Sequence, residues 1–158
     1  MFQVGDKIAH PMHGAGIVAG IEEKKVNGVV RSYYVLKLPV GGMMVMIPTE
    51  NCAEIGVRPV IDKVEGDRVI AAFASIEVEM EHNWNRRYRD NMERLKSGDL
   101  LEVARVVKGL MLRDVNRGLS NGERKMLHSA KQILISELVL SQNSSYEEIE
   151  DRINLALA

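Results

Sequence analysis

The sequence predicts an α+β protein of two domains, a small N-terminal β-barrel followed by a compact all-α domain of about five helices. Two observations lead to this fold class. The first fifty or so of the 158 residues contain short apolar runs separated by Gly, Pro and Asn-Gly, which is typical of strands joined by turns. From about residue 59, apolar residues recur every three or four positions, which is typical of amphipathic helices. We therefore expect a β domain at residues 1–55 and a helical domain at residues 56–158.

Four or five short strands are expected, within residues 7–10, 17–26, 29–38 and 43–47. Asn27-Gly28 predicts a two-residue hairpin turn, because both residues tolerate the positive φ that a type I′ turn needs. Gly41-Gly42 predicts a further turn, and Pro48 is expected to end the strand that follows it. Closing so small a sheet into a barrel would remove its unpaired edges.

Helix starts in the second half are indicated by capping residues. Pro59 is typical of a first helical turn, and we expect the first helix to begin there. Ser120 with Glu123 forms a capping box, in which each residue satisfies a backbone N–H of the other. The remaining helices are expected to begin after Asn83, Asp99 and Ser144.

The formal net charge of −1 conceals an uneven distribution of charge along the chain. Residues 84–131 contain twelve Lys and Arg against six Asp and Glu, whereas residues 58–83 and 132–158 are net acidic. A basic segment in an otherwise neutral or acidic chain favours contact with an anionic partner. A solvated helical surface would explain the same charges equally well.

No set of residues in the sequence predicts catalysis. We identify no catalytic residue, no metal ligand set and no cofactor motif, so we expect a protein that is not an enzyme and has no small-molecule substrate. Cys52 is the only cysteine and no apolar run reaches eighteen residues. These features, with an N-terminus unlike a signal peptide, indicate a cytoplasmic protein without a membrane span.

Residues 83–89 (NWNRRYR) are the most unusual segment, because they place three arginines at a predicted helix start. Positive charge there opposes the helix dipole, at a cost of up to about 1 kcal/mol. A DNA site would explain the pattern, with arginines on phosphates and Trp84 at a base step. Burial of Trp84 in the helical core, with the arginines solvated, is the alternative, since tryptophan is usually buried.

Several short motifs occur in order along nearly the whole chain. In the first half they are FQVGD at 2–6, PMHG at 11–14, YVLKL at 34–38 and IPTEN at 47–51. In the second half they are NWNRRYRDN at 83–91, LKSGD at 95–99 and RDVNRGLSNGERKML at 113–127. With this order and spacing the chain resembles the CarD/CdnL family of bacterial RNA polymerase-binding proteins. Their N-terminal domain is similar to the polymerase-interacting domain of transcription-repair coupling factor.

The resemblance implies a Tudor-like, SH3-like barrel that docks on the β subunit of RNA polymerase, largely by strand pairing. The matching positions are Lys24, Val26, Val45, Met46 and Ile47. Members that bind polymerase well often carry a basic residue at the position of Met46, so affinity or partner preference can differ in this chain.

The resemblance also implies that the helical domain contacts promoter DNA at the upstream edge of the transcription bubble. Trp84 would wedge into the minor groove, and phosphates would be held without sequence readout by Arg86, Arg87, Arg89 and Arg124. The expected function is a transcription regulator that stabilises the open complex while associated with polymerase on the nucleoid.

Two other functions fit the sequence. In the first, the chain is an adaptor that binds polymerase and uses its helical domain to bind another protein. In the second, it binds DNA by itself, without polymerase. The salt dependence of binding distinguishes the adaptor function from DNA binding, because the affinity of a phosphate-dominated contact falls steeply as the salt concentration rises.

Overall fold

The computed structural model describes residues 1–39 and 41–157. Its strands are β1 (Lys7–His10), β2 (Gly14–Val26), β3 (Val29–Lys37), β4 (Met44–Pro48) and β5 (Arg58–Pro59). Its helices are α1 (Cys52–Ile55), α2 (Lys63–Ser75), α3 (Trp84–Lys96), α4 (Leu100–Asn116), α5 (Asn121–Gln142) and α6 (Tyr146–Leu157). A β domain followed by a helical domain is therefore confirmed. None of the helices in the described residues is long and apolar enough to cross a bilayer.

The β domain is a five-stranded antiparallel sheet in the order β4-β3-β2-β1-β5. β2 and β3 form a long hairpin, and its turn residues Asn27 and Gly28 have φ of 51° and 79°, as the sequence predicts. One face of the sheet packs around an apolar core of Ile8, Val18, Tyr34, Leu36, Leu38, Ile47, Cys52 and Val57. β4 and β5 are the outer strands of this sheet.

Strand β5 extends the β domain beyond the expected boundary at residue 55. It pairs with β1, so the sheet continues to Pro59. The expectation that Pro59 opens a helix is wrong, because an outer strand also tolerates a residue that has no N–H to donate. Helix α2 begins instead at Lys63, where Asp62 caps it by accepting a hydrogen bond from the backbone N–H of Glu65.

Most helices of the helical domain begin where the capping residues predict. Asn83, Asp99 and Ser120 each accept a hydrogen bond from a backbone N–H in the first turn of α3, α4 and α5. The last helix differs, because Ser145, and not Ser144, accepts from the backbone N–H of Glu148. The long helices α4 and α5 supply most of the buried core, and α2, α3 and α6 pack around them.

The connector between α2 and α3, residues 76–83, lies across α4. Lys108 of α4 donates hydrogen bonds from Nζ to the carbonyls of Ala74 and Ile76, at 3.1 and 2.7 Å, and so fixes the end of α2. Further along the connector, the end of the Met80 side chain lies over Gly109 of α4, where a Cβ would overlap it unless Met80 moved. The absence of a side chain at Gly109 therefore lets the connector pack closely on the helix.

Candidate functional site

Trp84, the first residue of α3, lies at the surface with 42% of its area exposed. Its ring stacks on Tyr88, with 5.1 Å between ring centroids and 19° between ring planes. Its Nε1 donates a hydrogen bond of 3.0 Å to Oγ of Ser120, the residue that caps α5. The ring is thus outside the helical core, in contrast to the interpretation of Trp84 as a buried core residue.

The stacked pair, which we call the aromatic platform (Trp84 and Tyr88), rests on the first turn of α5. A Cβ placed on Gly122 would lie 3.6 Å from Cζ2 of Trp84 and 3.7 Å from Cε2 of Tyr88, which is ordinary van der Waals distance. The platform therefore has support beneath it and solvent above it. Such a plate can stack against a planar group without first being ordered.

A buried ion pair lies directly behind the platform. The Arg87 guanidinium binds the Glu123 carboxylate through two hydrogen bonds of 2.8 and 3.1 Å, and both side chains are only 2% exposed. Nη1 of Arg87 also donates to the carbonyls of Glu81 and His82, which ties the connector to α3. The hydrogen bond from Arg87, although opposed by burial, holds the pKa of Glu123 below its ordinary value.

The expectation that Arg87 holds a phosphate is corrected by this geometry. Its guanidinium is buried, and its donors are engaged by a carboxylate and two carbonyls. Leaving this position to reach DNA would strand Glu123 as an uncompensated buried charge, at a cost of about 3–5 kcal/mol. Arg87 therefore belongs to the support of the platform.

The other predicted arginines lie at the surface on the elements that carry the platform. Arg86 and Arg89 are exposed on α3, and within the described residues neither forms an ion pair. Arg124, in the first turn of α5, is more than half exposed, and among the residues that the structure describes it pairs with Asp114 alone, at 3.8 Å. The three are thus available to an anionic partner, at little loss of internal interactions.

Sequence reasoning missed three residues of this site: Tyr88, Ser120 and Gly122. It assigned no site role to Tyr88 or Gly122 and treated Ser120 only as a helix cap. The signal that could have found them is the capping box, because a cap on α5 fixes a hydroxyl at the helix start. The sequence near Ser120 does not indicate, however, that its hydroxyl accepts a hydrogen bond from Trp84, which is 36 residues away along the chain.

The residues expected to bind polymerase fall into two groups. Val45, Met46 and Ile47 lie on the outer strand β4, whereas Lys24 and Val26 lie near the tip of the β2–β3 hairpin, with β3 between the groups. The side chain of Ile47 is buried in the β core, so only its backbone can reach a partner. Val45 and Met46 are partly exposed.

No three His, Cys, Asp or Glu side chains come together as a metal site in residues 1–39 and 41–157. The rings of His10 and His13 lie 4.5 Å apart, without a third ligand group beside them. The main chemical features of the described surface are therefore an aromatic platform with nearby arginines and an outer strand.

Comparison with known proteins gives matches along nearly the whole chain. Residues 2–61 match the CarD-like/TRCF RID domain, and residues 68–154 match the CarD C-terminal domain. The chain is 37% identical over 150 residues to the "Putative transcription factor YdeB" of Bacillus subtilis (strain 168). The aligned residues cover 95% of this chain and 98% of that protein. This chain therefore belongs to the CarD/CdnL family of transcription factors.

Proposed function

We propose that this protein binds the β subunit of RNA polymerase through its β domain and stabilises the promoter open complex through its helical domain. The observation that carries the proposal is the aromatic platform. A tryptophan is held half-exposed on a hydrogen-bonded support, and surface arginines lie on the same two helices. A platform of this kind suits a distorted DNA step, where an apolar plate opposes restacking of the bases.

Arg86, Arg89 and Arg124 are proposed to hold phosphates on either side of that step. Phosphate contacts position a protein on DNA without reading its sequence. Because polymerase holds the protein near the promoter, little intrinsic DNA affinity is needed, which accommodates a net charge of −1. If the protein binds open DNA better than closed DNA, it shifts the equilibrium towards the open complex.

Polymerase binding is proposed to use the outer strand β4. An outer strand presents unpaired backbone N–H and C=O groups to which a partner strand can pair. Beside that backbone, Val45 and Met46 offer partly exposed apolar side chains, and the hairpin tip with Lys24 and Val26 offers a second contact. Ile47 would contribute through its backbone alone.

The half-life of promoter open complexes, challenged with competitor DNA, tests this proposal. We expect the wild-type protein to lengthen the half-life and Trp84→Ala to abolish that gain while binding polymerase normally. Leu155→Ala is the matched control, because Leu155 is an exposed apolar residue on α6. Equal half-lives with wild type and Trp84→Ala would refute the role of the platform.

An adaptor function is favoured by one observation. A shallow depression beside Trp84 is lined partly by Met92 and Tyr88, which are apolar groups common in protein interfaces.

The salt dependence of binding distinguishes the two functions. The affinity of a DNA contact should fall steeply as salt rises, and that of an apolar protein contact should hardly change. Arg86→Ala and Arg89→Ala should reduce this salt dependence, whereas Arg68→Ala, at an exposed arginine of α2, should not.

A further inference from the structure

Helix α5 makes most of the described contacts between the helical domain and the β domain. Two successive residues of α5, Ser136 and Glu137, are almost completely buried and both bind the β domain. Oγ of Ser136 accepts a hydrogen bond of 2.9 Å from the backbone N–H of Ala15 in β2. A helix whose polar residues are buried against another domain is positioned by them, since each must keep its partner.

Glu137 forms the strongest of these contacts. Its carboxylate accepts two hydrogen bonds from Arg58 of β5, at 2.6 and 2.8 Å, and a third from the backbone N–H of Ile61, at 3.0 Å. Arg58 also donates from Nε to the carbonyl of Gly98, which lies between α3 and α4. The hydrogen bond to Glu137 raises the pKa of Arg58. One arginine of the sheet therefore binds two separate parts of the helical domain.

The two backbones also approach closely at this interface. Gly14 has φ of +90°, and a Cβ there would lie 2.6 Å from Oγ of Ser136 and 3.3 Å from Cα of Ile133. Beside this contact, Ala9 and Ala15 pack on Leu140 of α5. Small residues on the sheet thus let α5 lie directly on β1 and β2, and the fit leaves little room for sliding.

We propose that Arg58 and Glu137 lock the two domains into one rigid unit and are positioning residues for Trp84, an inference that rests on the proposed function. Domains of one chain commonly move relative to each other unless their interface is large or tightly bound. A flexible joint would spread Trp84 over many positions around the polymerase. A fixed joint keeps it where the promoter lies, and so raises its effective concentration at the DNA.

The test combines a distance measurement with the open-complex assay. Spin labels are placed at Val30→Cys in β3 and Leu155→Cys in α6, both exposed positions, in a Cys52→Ala background. Glu137→Gln removes the charge from one side of the lock, and Arg58→Gln removes it from the other. Glu150→Gln is the matched control, because it removes an ion pair with Lys131 inside the helical domain.

We expect a narrow distance distribution for the wild type and the control, and a broad one for Glu137→Gln and Arg58→Gln. With polymerase binding and helix content unchanged, the two lock variants should reduce the gain in open-complex half-life on the order of tenfold. A narrow distribution in both lock variants, or a broad one with wild-type half-life, overturns the inference. A wild-type protein that does not lengthen the half-life refutes the proposed function, and with it the role of the lock at DNA. The distances alone would still decide whether the pair fixes the domains.

Discussion

Two ion pairs with buried carboxylates occupy different places in this molecule, one within the helical domain and one between the two domains. Arg87 and Glu123 are both 2% exposed and lie within the helical domain, behind the platform. Arg58 and Glu137 join the two domains, and the arginine side chain is 30% exposed. Loss of either partner of the first pair leaves a charge buried in a single core. In the second pair, loss of Glu137 leaves an Arg58 charge that water can partly reach, whereas loss of Arg58 leaves Glu137 buried without a counter-charge. The first pair supports the platform from behind, and the second is proposed to fix the position of the platform relative to the β domain.

The largest effect on stability is expected from Glu123→Gln. The amide keeps the size of the carboxylate but leaves the Arg87 charge buried without a counter-charge, which should destabilise the protein by about 3 kcal/mol. Urea denaturation measures the change. The control Glu150→Gln removes a partly exposed ion pair and should change stability by less than about 1 kcal/mol. A loss of similar size in both variants would contradict the importance assigned to the buried pair.

Acid should weaken the same pair. The pKa of Glu123 lies below its ordinary value of 4.5 because Arg87 hydrogen-bonds the carboxylate. The folded state therefore binds this proton less readily than the unfolded state. The stabilisation is complete above pH 4.5 and is lost as the pH falls from 4.5 through the folded-state pKa. We expect wild type to lose more stability than Glu123→Gln over that range in urea titrations. Parallel losses would show that Glu123 is not the group responsible.

Trp84→Ala should have a smaller effect on stability than Glu123→Gln, although it should abolish the effect on DNA. A buried tryptophan replaced by alanine costs about 3–5 kcal/mol, and a half-exposed one at a helix start should cost about 1–2 kcal/mol. Thermal or urea unfolding gives the value. A loss as large as that of a core residue would mean that Trp84 serves mainly to hold the fold together.

The smallest of these effects is expected from Ser120→Ala, at about 1 kcal/mol, the usual loss for a helix cap. The hydroxyl also accepts from Trp84, so its removal should alter the tryptophan emission spectrum and expose the ring further to a soluble quencher. Trp84 is the only tryptophan, so the signal is unambiguous. Ser120→Thr keeps the hydroxyl and should retain the wild-type spectrum. An unchanged spectrum in Ser120→Ala would remove Ser120 from the support of the platform.

Local features of the sequence predicted the elements better than the site. The Asn27-Gly28 turn and the caps Asn83, Asp99 and Ser120 act on neighbouring residues, so their signals lie within a few positions. Pro59 misled because proline suits both a helix start and an outer strand. Pro59 lies in a strand because its segment pairs with β1, and the residues around Pro59 carry no signal of that pairing.

The two ion pairs lay beyond sequence reasoning for the same physical reason. Arg87 and Glu123 are 36 residues apart, and Arg58 and Glu137 are 79 apart. Partners at such separations are chosen by the packing of whole helices. Arg87 therefore looked like its neighbours Arg86 and Arg89, although helical periodicity turns it towards the core.

The most direct test of the central claim is the fluorescence of a 2-aminopurine base placed at the upstream edge of the transcription bubble. Wild-type protein, added to a polymerase–promoter complex, should change this emission, because the platform is proposed to alter base stacking at that step. Trp84→Ala, bound to polymerase to the same extent, should leave the emission as it is with polymerase alone. The account would be contradicted by an equal change with Trp84→Ala, or by no change with bound wild-type protein.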